Sequence, residues 1–311
     1  IQMLQHNQIL FKADIPAMGY AFYQIIDKKI KTKNSGAKIS FDKNGNCRLE
    51  TDLYNILIEK LKGGTIKSLV AKNLSGKEFV DAASTRRFNE IRGNFYKKGG
   101  FKTNADQPAT ISIIENGPHL ISVKVASQIA GHPVSQIITL KQGETLIDFK
   151  LKIDWQQNEG IGEFEETNYR DTSLRKAFYD DQYKLLTLFP LNLKNQKIFK
   201  DAPFDVTESK LDNTFFGSWD GIKNNIMLNW VDVLSGDGKY GMTMFTDHTT
   251  SYAHGKNFPL GLTTQYSGKG LWGRNYSIGG ATNISYQLLP HQGNWQQAGV
   301  SYKKEQLNFL F

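Results

Sequence analysis

The sequence predicts an all-β protein, built as a large antiparallel β-sandwich. Its 19 Phe, 13 Tyr and 28 Gly favour strands and turns over helix bundles. About a dozen short apolar runs follow one another, separated by turn residues, as expected of stacked antiparallel sheets. Only residues 174–188 have a helical spacing of apolar side chains, so helices contribute little to the predicted fold.

The first 48 residues are predicted to lie outside the main β-domain. Residues 9–26 contain two short strand patterns, interrupted at Pro16-Ala17-Met18-Gly19 because proline fixes φ and lacks a backbone donor. Two strands cannot form a domain alone, so residues 1–30 are predicted to be the end of a preceding small β-domain. Residues 31–48 are rich in Lys, Asn, Ser and Gly and are predicted to be a linker. The first residue is not Met, so we expect a processed or truncated chain.

Residues 49–311 are predicted to form the sandwich itself. In its first hairpin, an alternating strand from Tyr54 pairs with residues 65–71 across the turn Lys62-Gly63-Gly64. The clearest strand is 146–155, where a one-residue slip would bury its charged residues, so its register is well specified. Further strands are predicted at residues 111–114, 121–125, 185–191, 204–208, 227–234, 240–246, 260–265 and 283–289.

The hairpin at residues 229–252 lies in the body of the predicted sheet. An apolar strand is followed by the turn Ser235-Gly236-Asp237-Gly238 and then by a strand with alternating side chains. We interpret Asp232 as a residue of the solvent-facing side and Asp237 as a turn residue. No catalytic residue is therefore predicted in this hairpin.

Composition excludes several classes of protein. The net charge is +8, but the lysines are scattered singly, which is typical of solvated strand faces and not of a nucleic-acid interface. No apolar run approaches the ~20 residues of a membrane span. The single cysteine, Cys47, excludes an internal disulfide framework and a cysteine-based zinc site. The compartment stays open, with a bacterial periplasmic or secreted location slightly favoured over the cytoplasm.

The histidines do not form a recognisable metal motif. His248 and His254 lie six residues apart, which matches neither the helical i, i+4 pair nor a standard zinc pattern, so we expect loop histidines. His291 follows Leu289-Pro290 and is expected to make a structural hydrogen bond.

Two acidic clusters are the local candidates for sugar hydrolysis, which needs two carboxyl groups flanking one bond. Glu163, Glu165 and Glu166 form one cluster, and Asp180-Asp181 form the other. Adjacent residues of a strand point to opposite faces, so the two aspartates cannot both reach one substrate if extended. Solvated loops are the simpler interpretation of both clusters.

Two Gly-rich loops place tryptophan beside polar residues, a combination that suits sugar binding. The first contains Trp219 and Asp220, and the second contains Trp272, Arg274 and Tyr276. Exposed aromatic rings stack on the apolar face of a sugar, and flanking polar groups bond its hydroxyls. These residues are therefore candidate carbohydrate contacts, although buried core tryptophans are the alternative.

Seven phrases occur in a fixed order along nearly the whole chain. They are F-K-A-D-I-P-A-M-G-Y (11–20), L-E-T-D-L-Y-N-I-L-I-E with G-G-T-I-K-S-L-V-A-K (49–72), I-T-L-K-Q-G-E-T-L-I-D-F-K-L-K-I-D-W (138–155), K-L-L-T-L-F-P-L (184–191), A-P-F-D-V-T-E (202–208), W-V-D-V (230–233) and Y-Q-L-L-P-H-Q-G-N-W (286–295). Together they resemble the C-terminal β region of glycoside hydrolase family 38, the retaining α-mannosidases.

The resemblance implies a galactose-mutarotase-like supersandwich from a multidomain α-mannosidase. In that family the catalytic Asp and the zinc-binding His and Asp residues lie in an N-terminal α/β domain, so no catalytic or metal-binding residue is expected here. That domain and an α-mannoside are the implied partners. The family commonly has Arg where this chain has Tyr266, which makes Tyr266 a further contact candidate and Arg274 a candidate substitute. Residues 159–179 depart from the family pattern, and no role is predicted for them.

Two alternatives stay open. A stand-alone carbohydrate-binding module would use the same Trp272 loop. A lyase or epimerase on a related sandwich would use side chains such as Tyr169, Arg170 or His254. Fold class alone does not decide between these activities.

Overall fold

The computed structural model describes residues 1–16, 18–26, 36–162, 181–209, 226–255, 257–269 and 275–308. In chain order its strands and helix are β1 (Gln2–Met3), β2 (Ile9–Leu10), β3 (Lys38–Phe41), β4 (Cys47–Glu50), β5 (Tyr54–Glu59), β6 (Thr65–Ala71), β7 (Lys77–Glu78), β8 (Glu90–Phe95), β9 (Gly100–Thr103), β10 (Thr110–Asn116), β11 (Leu120–Ile129), β12 (His132–Lys141), β13 (Ile147–Trp155), β14 (Leu185–Phe189), β15 (Lys197–Ala202), β16 (Asp205–Ser209), β17 (Ile226–Met227), β18 (Trp230–Leu234), β19 (Tyr240–Thr246), β20 (Thr250–Gly255), β21 (Phe258–Gln265), β22 (Gly268–Lys269), β23 (Asn275–Tyr276), β24 (Gly280–Gln292) and α1 (Val300–Asn308). The predicted all-β class is confirmed.

Three antiparallel sheets form the body of the molecule. Sheet A has the strand order β3-β4-β5-β6-β7. Sheet B has the order β10-β11-β12-β13-β24-β19-β18-β15-β16, and sheet C has the order β17-β20-β21-β14-β8-β9. Strands that are distant in sequence are therefore neighbours, as β13 is to β24 and β14 is to β8.

One hydrophobic core joins the three sheets. Ile56 of sheet A, Phe149 and Tyr286 of sheet B and Phe189 of sheet C belong to the same buried cluster. Phe149 stacks on Tyr286 with ring centroids 4.9 Å apart, and Phe189 meets Tyr286 edge-on at 5.8 Å. The Tyr286 hydroxyl donates to Asn89 Oδ1 at 2.5 Å, which satisfies the polar end of a fully buried ring.

The predicted register of β13 is confirmed. Its apolar positions from Ile147 to Trp155 are buried, and the polar positions between them are intermediate or exposed. The hairpin of β18 and β19 is also confirmed, with Val233 paired to Met242. The helical alternative at residues 174–188 is wrong where it is described, because Leu185 begins strand β14.

The N-terminal residues differ from the prediction. Of residues 9–26, only Ile9–Leu10 form a strand among the described residues, and they pair with Gln2–Met3. The turn at Pro16 is present, since Gly19 donates its backbone N–H to the Pro16 carbonyl at 3.0 Å.

The expectation of a linker throughout 31–48 is wrong for residues 38–41 and 47–48, which belong to β3 and β4. Apolar and polar residues do alternate in these two strands, as in other strands of the protein. The many Lys and Asn residues of the segment nevertheless favoured the interpretation as a linker.

The C-terminal segment covers the outer face of sheet B. Trp295 lies 5.7 Å from Trp230 of β18, and Val300 at the start of α1 is buried in the same small cluster. Asp232, two residues from Trp230, is fully buried on this face and is not solvent-facing as predicted. No helix among the described residues is long and apolar enough to cross a membrane.

Candidate functional site

A line of aromatic rings and cations crosses one end of sheet C. We call it the aromatic strip, and its members are Phe101, Tyr183, Tyr266 and Tyr276 with the cations Arg92 and Lys184. The rings of Phe101 and Tyr183 lie 5.3 Å apart, and those of Tyr266 and Tyr276 lie 5.4 Å apart.

Strand register explains why these residues meet. Leu185, the first residue of β14, pairs with Gln265, the last residue of β21. Lys184 and Tyr266 therefore lie side by side at the same end of the sheet, just outside β14 and β21. Lys184 Nζ lies 5.8 Å from the Tyr266 ring centroid. On the other side of β14, strand β8 places the Arg92 guanidinium 3.5 Å from the Phe101 ring centroid. Both contacts are cation–π geometries.

Tyr266 carries a buried hydroxyl that makes no hydrogen bond with any described residue. Burial, followed by the nearby Tyr276 and Tyr96, raises the pKa of Tyr266 to about 12. The phenol therefore keeps its proton across the physiological range and is available as a donor. An unmet buried hydroxyl costs about 1–3 kcal/mol, so a bound acceptor at this position would be stabilising.

Lys184 is held in place by an ion pair. Its Nζ lies 2.6 Å from Asp181 Oδ1, across the 3-10 turn Asp181–Tyr183. Asp181, one of the predicted acidic candidates, is therefore a partner of Lys184 within the strip.

One short segment anchors the chain just before β22 and just after β23, the strand that carries Tyr276. Ser267 Oγ donates to the Glu159 carbonyl at 2.5 Å and accepts the Ile161 N–H at 3.1 Å. On the far side, Asn158 Oδ1 accepts the Ile278 N–H at 2.9 Å. Residues 158–161, whose role the sequence does not predict, thus fix the position of Tyr266 and Tyr276.

A buried ionic cluster fixes this anchoring segment in turn. Glu159 is 3% exposed and contacts Lys98 Nζ at 2.6 Å and His132 Nε2 at 3.0 Å. His132 Nδ1 accepts the Gln156 N–H at 3.1 Å, so its proton is on Nε2 and is donated to the carboxylate. Burial acts to raise the pKa of Glu159, but the hydrogen bonds from Lys98, Gln157 and His132 outweigh it and lower the pKa. Glu159 is therefore a structural carboxylate.

The two other histidines of interest are buried. His254 lies in β20, contrary to the predicted loop position, and its Nε2 donates to Gln196 Oε1 at 2.7 Å. Burial lowers the pKa of His254 to about 4, so it is neutral at physiological pH. It lines a cleft of about 900 Å³ between residues 190–197, which follow β14, and the strands β16, β20 and β21. The structural bond expected of His291 is confirmed, since its Nε2 lies 2.7 Å from Asp232 Oδ1.

Of the predicted sugar contacts, the structure brings Tyr266 and Tyr276 together. The others, Trp219, Asp220, Trp272 and Arg274, lie outside the described residues, as do Glu163, Glu165, Glu166, Tyr169, Arg170 and Asp180. Sequence reasoning missed Phe101, Tyr183, Arg92 and Lys184. Each stands in an ordinary strand or turn context, and only the sheet order brings them together. Across the described residues, no cluster of three His, Cys, Asp or Glu side chains is suited to a metal ion.

Comparison with known proteins gives a consistent result. The sequence model of the family described as "Glycosyl hydrolases family 38 C-terminal domain" matches residues 49–263. A glycosyl hydrolase family 38 protein from Enterococcus faecalis superposes with a TM-score of 0.57 at 14% identity, over 82% of this chain and 31% of its own. An α-mannosidase from E. faecalis V583 gives 0.56, also at 14% identity, over 82% and 30%.

A galactose mutarotase related enzyme from Lactobacillus acidophilus aligns with a TM-score of 0.43 at 10% identity, over 80% of this chain and 98% of its own. A search of curated protein sequences finds no significant match. The chain spans less than a third of the length of the two E. faecalis structures. Because the family model covers more than half of the chain, in the region of sheets A, B and C, the chain belongs to the C-terminal domain family of glycosyl hydrolases of family 38.

Proposed function

We propose that this chain is the C-terminal β-domain of an α-mannosidase-type hydrolase, that it packs against the catalytic domain, and that its aromatic strip forms one wall of the sugar site. The observation that carries the proposal is the convergence of four aromatic rings and two cations at one edge of sheet C. Aromatic faces stack on the C–H face of a pyranose, and a protonated phenol donates to a sugar oxygen.

The strip suits binding better than bond cleavage. Retaining glycoside hydrolysis needs two carboxyl groups about 5–5.5 Å apart on either side of the scissile bond. The carboxylates near the strip already have partners, since Asp181 is paired with Lys184 and Glu159 with Lys98 and His132. The described residues also do not fit a zinc site. We assign the nucleophile and the metal to the catalytic domain.

The N-terminal residues supply a surface for that packing. Between Phe11 and Ile26 the chain carries exposed large side chains, and Phe22 is 92% exposed. An exposed apolar series of this length is typical of a protein–protein contact. We propose that residues 1–30 complete a preceding small β-domain, that 31–48 include the connection, and that 49–311 form the sandwich.

A hydrolysis assay tests this division of roles. Residues 1–311 are incubated with an aryl α-mannoside, with and without Zn²⁺, beside the E. faecalis α-mannosidase as a positive control. We expect no release of the aryl group in either condition. Metal-dependent release by residues 1–311 would contradict the proposal, and an unsaturated-sugar absorbance with uronate polymers would favour a lyase.

A further inference from the structure

Arg92 of the aromatic strip and Arg86 nearby form no direct ion pair with a carboxylate among the described residues. Arg92 lies in β8 on the face opposite to Ile91, which is in the core, and Arg86 lies in the preceding loop. Within the part of the chain that the structure describes, neither guanidinium forms an ion pair or donates a hydrogen bond, and the contact of Arg92 with Phe101 is through the ring face. A guanidinium has five N–H donors, so Arg92 and Arg86 together leave a large donor capacity unused.

Arg87, next to Arg86 in the sequence, does form an ion pair, so among these three arginines the lack of one is specific to Arg86 and Arg92. Arg87 Nη1 lies 2.6 Å from Glu59 Oε2, so this arginine has its carboxylate. Glu90, the acidic residue of the same strand, attracts Arg92 without a direct ion pair, and one of its oxygens accepts the backbone N–H of Arg87 at 2.7 Å. Of three arginines within seven positions, only Arg87 is neutralised by a direct ion pair.

Burial makes the unpaired charge costly. Arg92 is only partly accessible, and its cross-strand neighbour Leu186 is buried. Burial, followed by repulsion from Arg86, lowers the pKa of Arg92 to about 10, and the attraction of Glu90 and Tyr183 offsets this only in part. A partly desolvated cation next to a second cation is stabilised by an anion that pairs with both.

The surrounding side chains indicate what kind of anion. The guanidinium fork matches the planar oxygens of a carboxylate or the oxygens of a phosphate. Phe101 packs against Arg92, and Tyr183 lies 5.3 Å from Phe101, so the arginines continue into the aromatic strip. We infer that Arg86 and Arg92 form a subsite for an anionic group, a phosphate or a carboxylate, carried by the saccharide that the strip binds. This inference deepens the proposed function and rests on it for the sugar part.

Calorimetric titration of residues 1–311 at low salt tests the subsite. The ligands are mannose, mannose 6-phosphate, mannuronate and inorganic phosphate, so that phosphate and carboxylate are compared directly. We expect at least one acidic sugar to bind about 10- to 100-fold more tightly than mannose, the range for a charge-assisted hydrogen-bonded pair. Added salt should reduce this preference, because the pair is ionic.

Matched variants locate the effect. Arg92→Gln and Arg86→Gln should each reduce the preference for the acidic sugar, and Arg92→Lys should retain part of it through its charge. Arg87→Gln is the control, because Arg87 already pairs with Glu59, and it should leave the preference unchanged. Arg86 lies in a loop, so its variant keeps the test valid even if Arg92→Gln does not fold.

The outcomes separate this inference from the proposed function. Equal affinity for mannose and both acidic sugars would overturn the anion subsite while leaving the mannoside proposal intact. Binding of inorganic phosphate that is lost in Arg92→Gln, with no mannose binding, would support the anion site and contradict the sugar role of the strip. A preference that survives both Arg86→Gln and Arg92→Gln would also overturn the inference.

Discussion

The carboxylate of Asp232 shows how one buried polar side chain organises the centre of sheet B. Its Oδ1 accepts the Thr243 hydroxyl at 2.8 Å and the His291 Nε2 proton at 2.7 Å, joining β18, β19 and β24. The space around it is tight, because a Cβ added at Gly241 would lie 2.4 Å from His291 Cε1. The alternation of β18 does put Asp232 on the side away from the main core, but the segment containing Trp295 covers that side.

Replacing Asp232 with Ala should therefore destabilise the fold. Thr243 and His291 would lose their shared acceptor inside the protein, and we expect the free energy of unfolding to fall by about 2–4 kcal/mol. Urea denaturation measures this loss. The control is Asp154→Ala, since the exposed pair of Asp154 with Lys152, at 2.8 Å, is worth at most about 1 kcal/mol. Equal losses in the two variants would show that the buried network contributes little.

His254 gives a pH dependence whose sign follows from its burial. Its pKa is about 4 in the folded protein, against an ordinary value of 6.5. Between these values the unfolded chain binds more protons, so folding stability is fully present above pH 6.5 and falls as the pH drops towards 4. Replacement by Gln should remove roughly 3 kcal/mol of this pH-dependent loss. Denaturation of both proteins at pH 7 and pH 4 measures the difference, and parallel pH curves would contradict the assignment.

The turn between β5 and β6 shows what a hairpin signal does and does not predict. Lys62-Gly63-Gly64 predicts the turn, and Gly63 adopts a left-handed φ of +66°. The sequence does not reveal that Asn104 bridges this turn to sheet C, by donating to the Gly63 carbonyl at 3.1 Å and accepting the Ile91 N–H at 2.8 Å.

A Cβ at Gly63 would lie 2.1 Å from the Asn104 carbonyl oxygen. Gly63→Ala should therefore cost about 3 kcal/mol or more, since backbone must move in addition to the left-handed strain. Gly99→Ala is the matched control, with a φ of +81° and nothing within 4 Å of the added Cβ. We expect only about 1–2 kcal/mol there, from φ alone. Chemical denaturation that gives equal costs would show that the contact with Asn104 relaxes freely.

Strands in which apolar and polar residues alternate strictly were predictable from the sequence. Elements without such a pattern, whose position depends on the segments packed against them, were not. The register of β13 could be read because any slip would bury charges. Helix α1 was missed because most of its residues are polar and Tyr302 is 65% exposed, so the buried Val300 is not part of a helical apolar period. The strands at the N-terminus are only two residues long, too short for any period to show.

The strand order of sheet C assembles the candidate site, and for that reason only part of the site was predictable from the sequence. Tyr266 and Tyr276 are near in sequence, and both were identified as candidates. Phe101 and Tyr183 stand far from them along the chain, and the β9-β8-β14-β21 order of sheet C brings them to the same edge. A single sequence carries no signal for that order, because crossovers between sheets B and C decide it. The family resemblance, in contrast, depended on phrases spread along the chain, and family membership confirms it.

The most direct test of the account is an NMR titration of residues 1–311 with methyl α-mannoside. We predict saturable shift changes centred on Lys184, Tyr266 and Tyr276, abolished by Tyr276→Ala. The control is Tyr302→Ala, which removes an exposed tyrosine of α1. Shift changes that map to the cleft around His254, or that persist unchanged in Tyr276→Ala, would contradict the claim that the aromatic strip contacts the sugar.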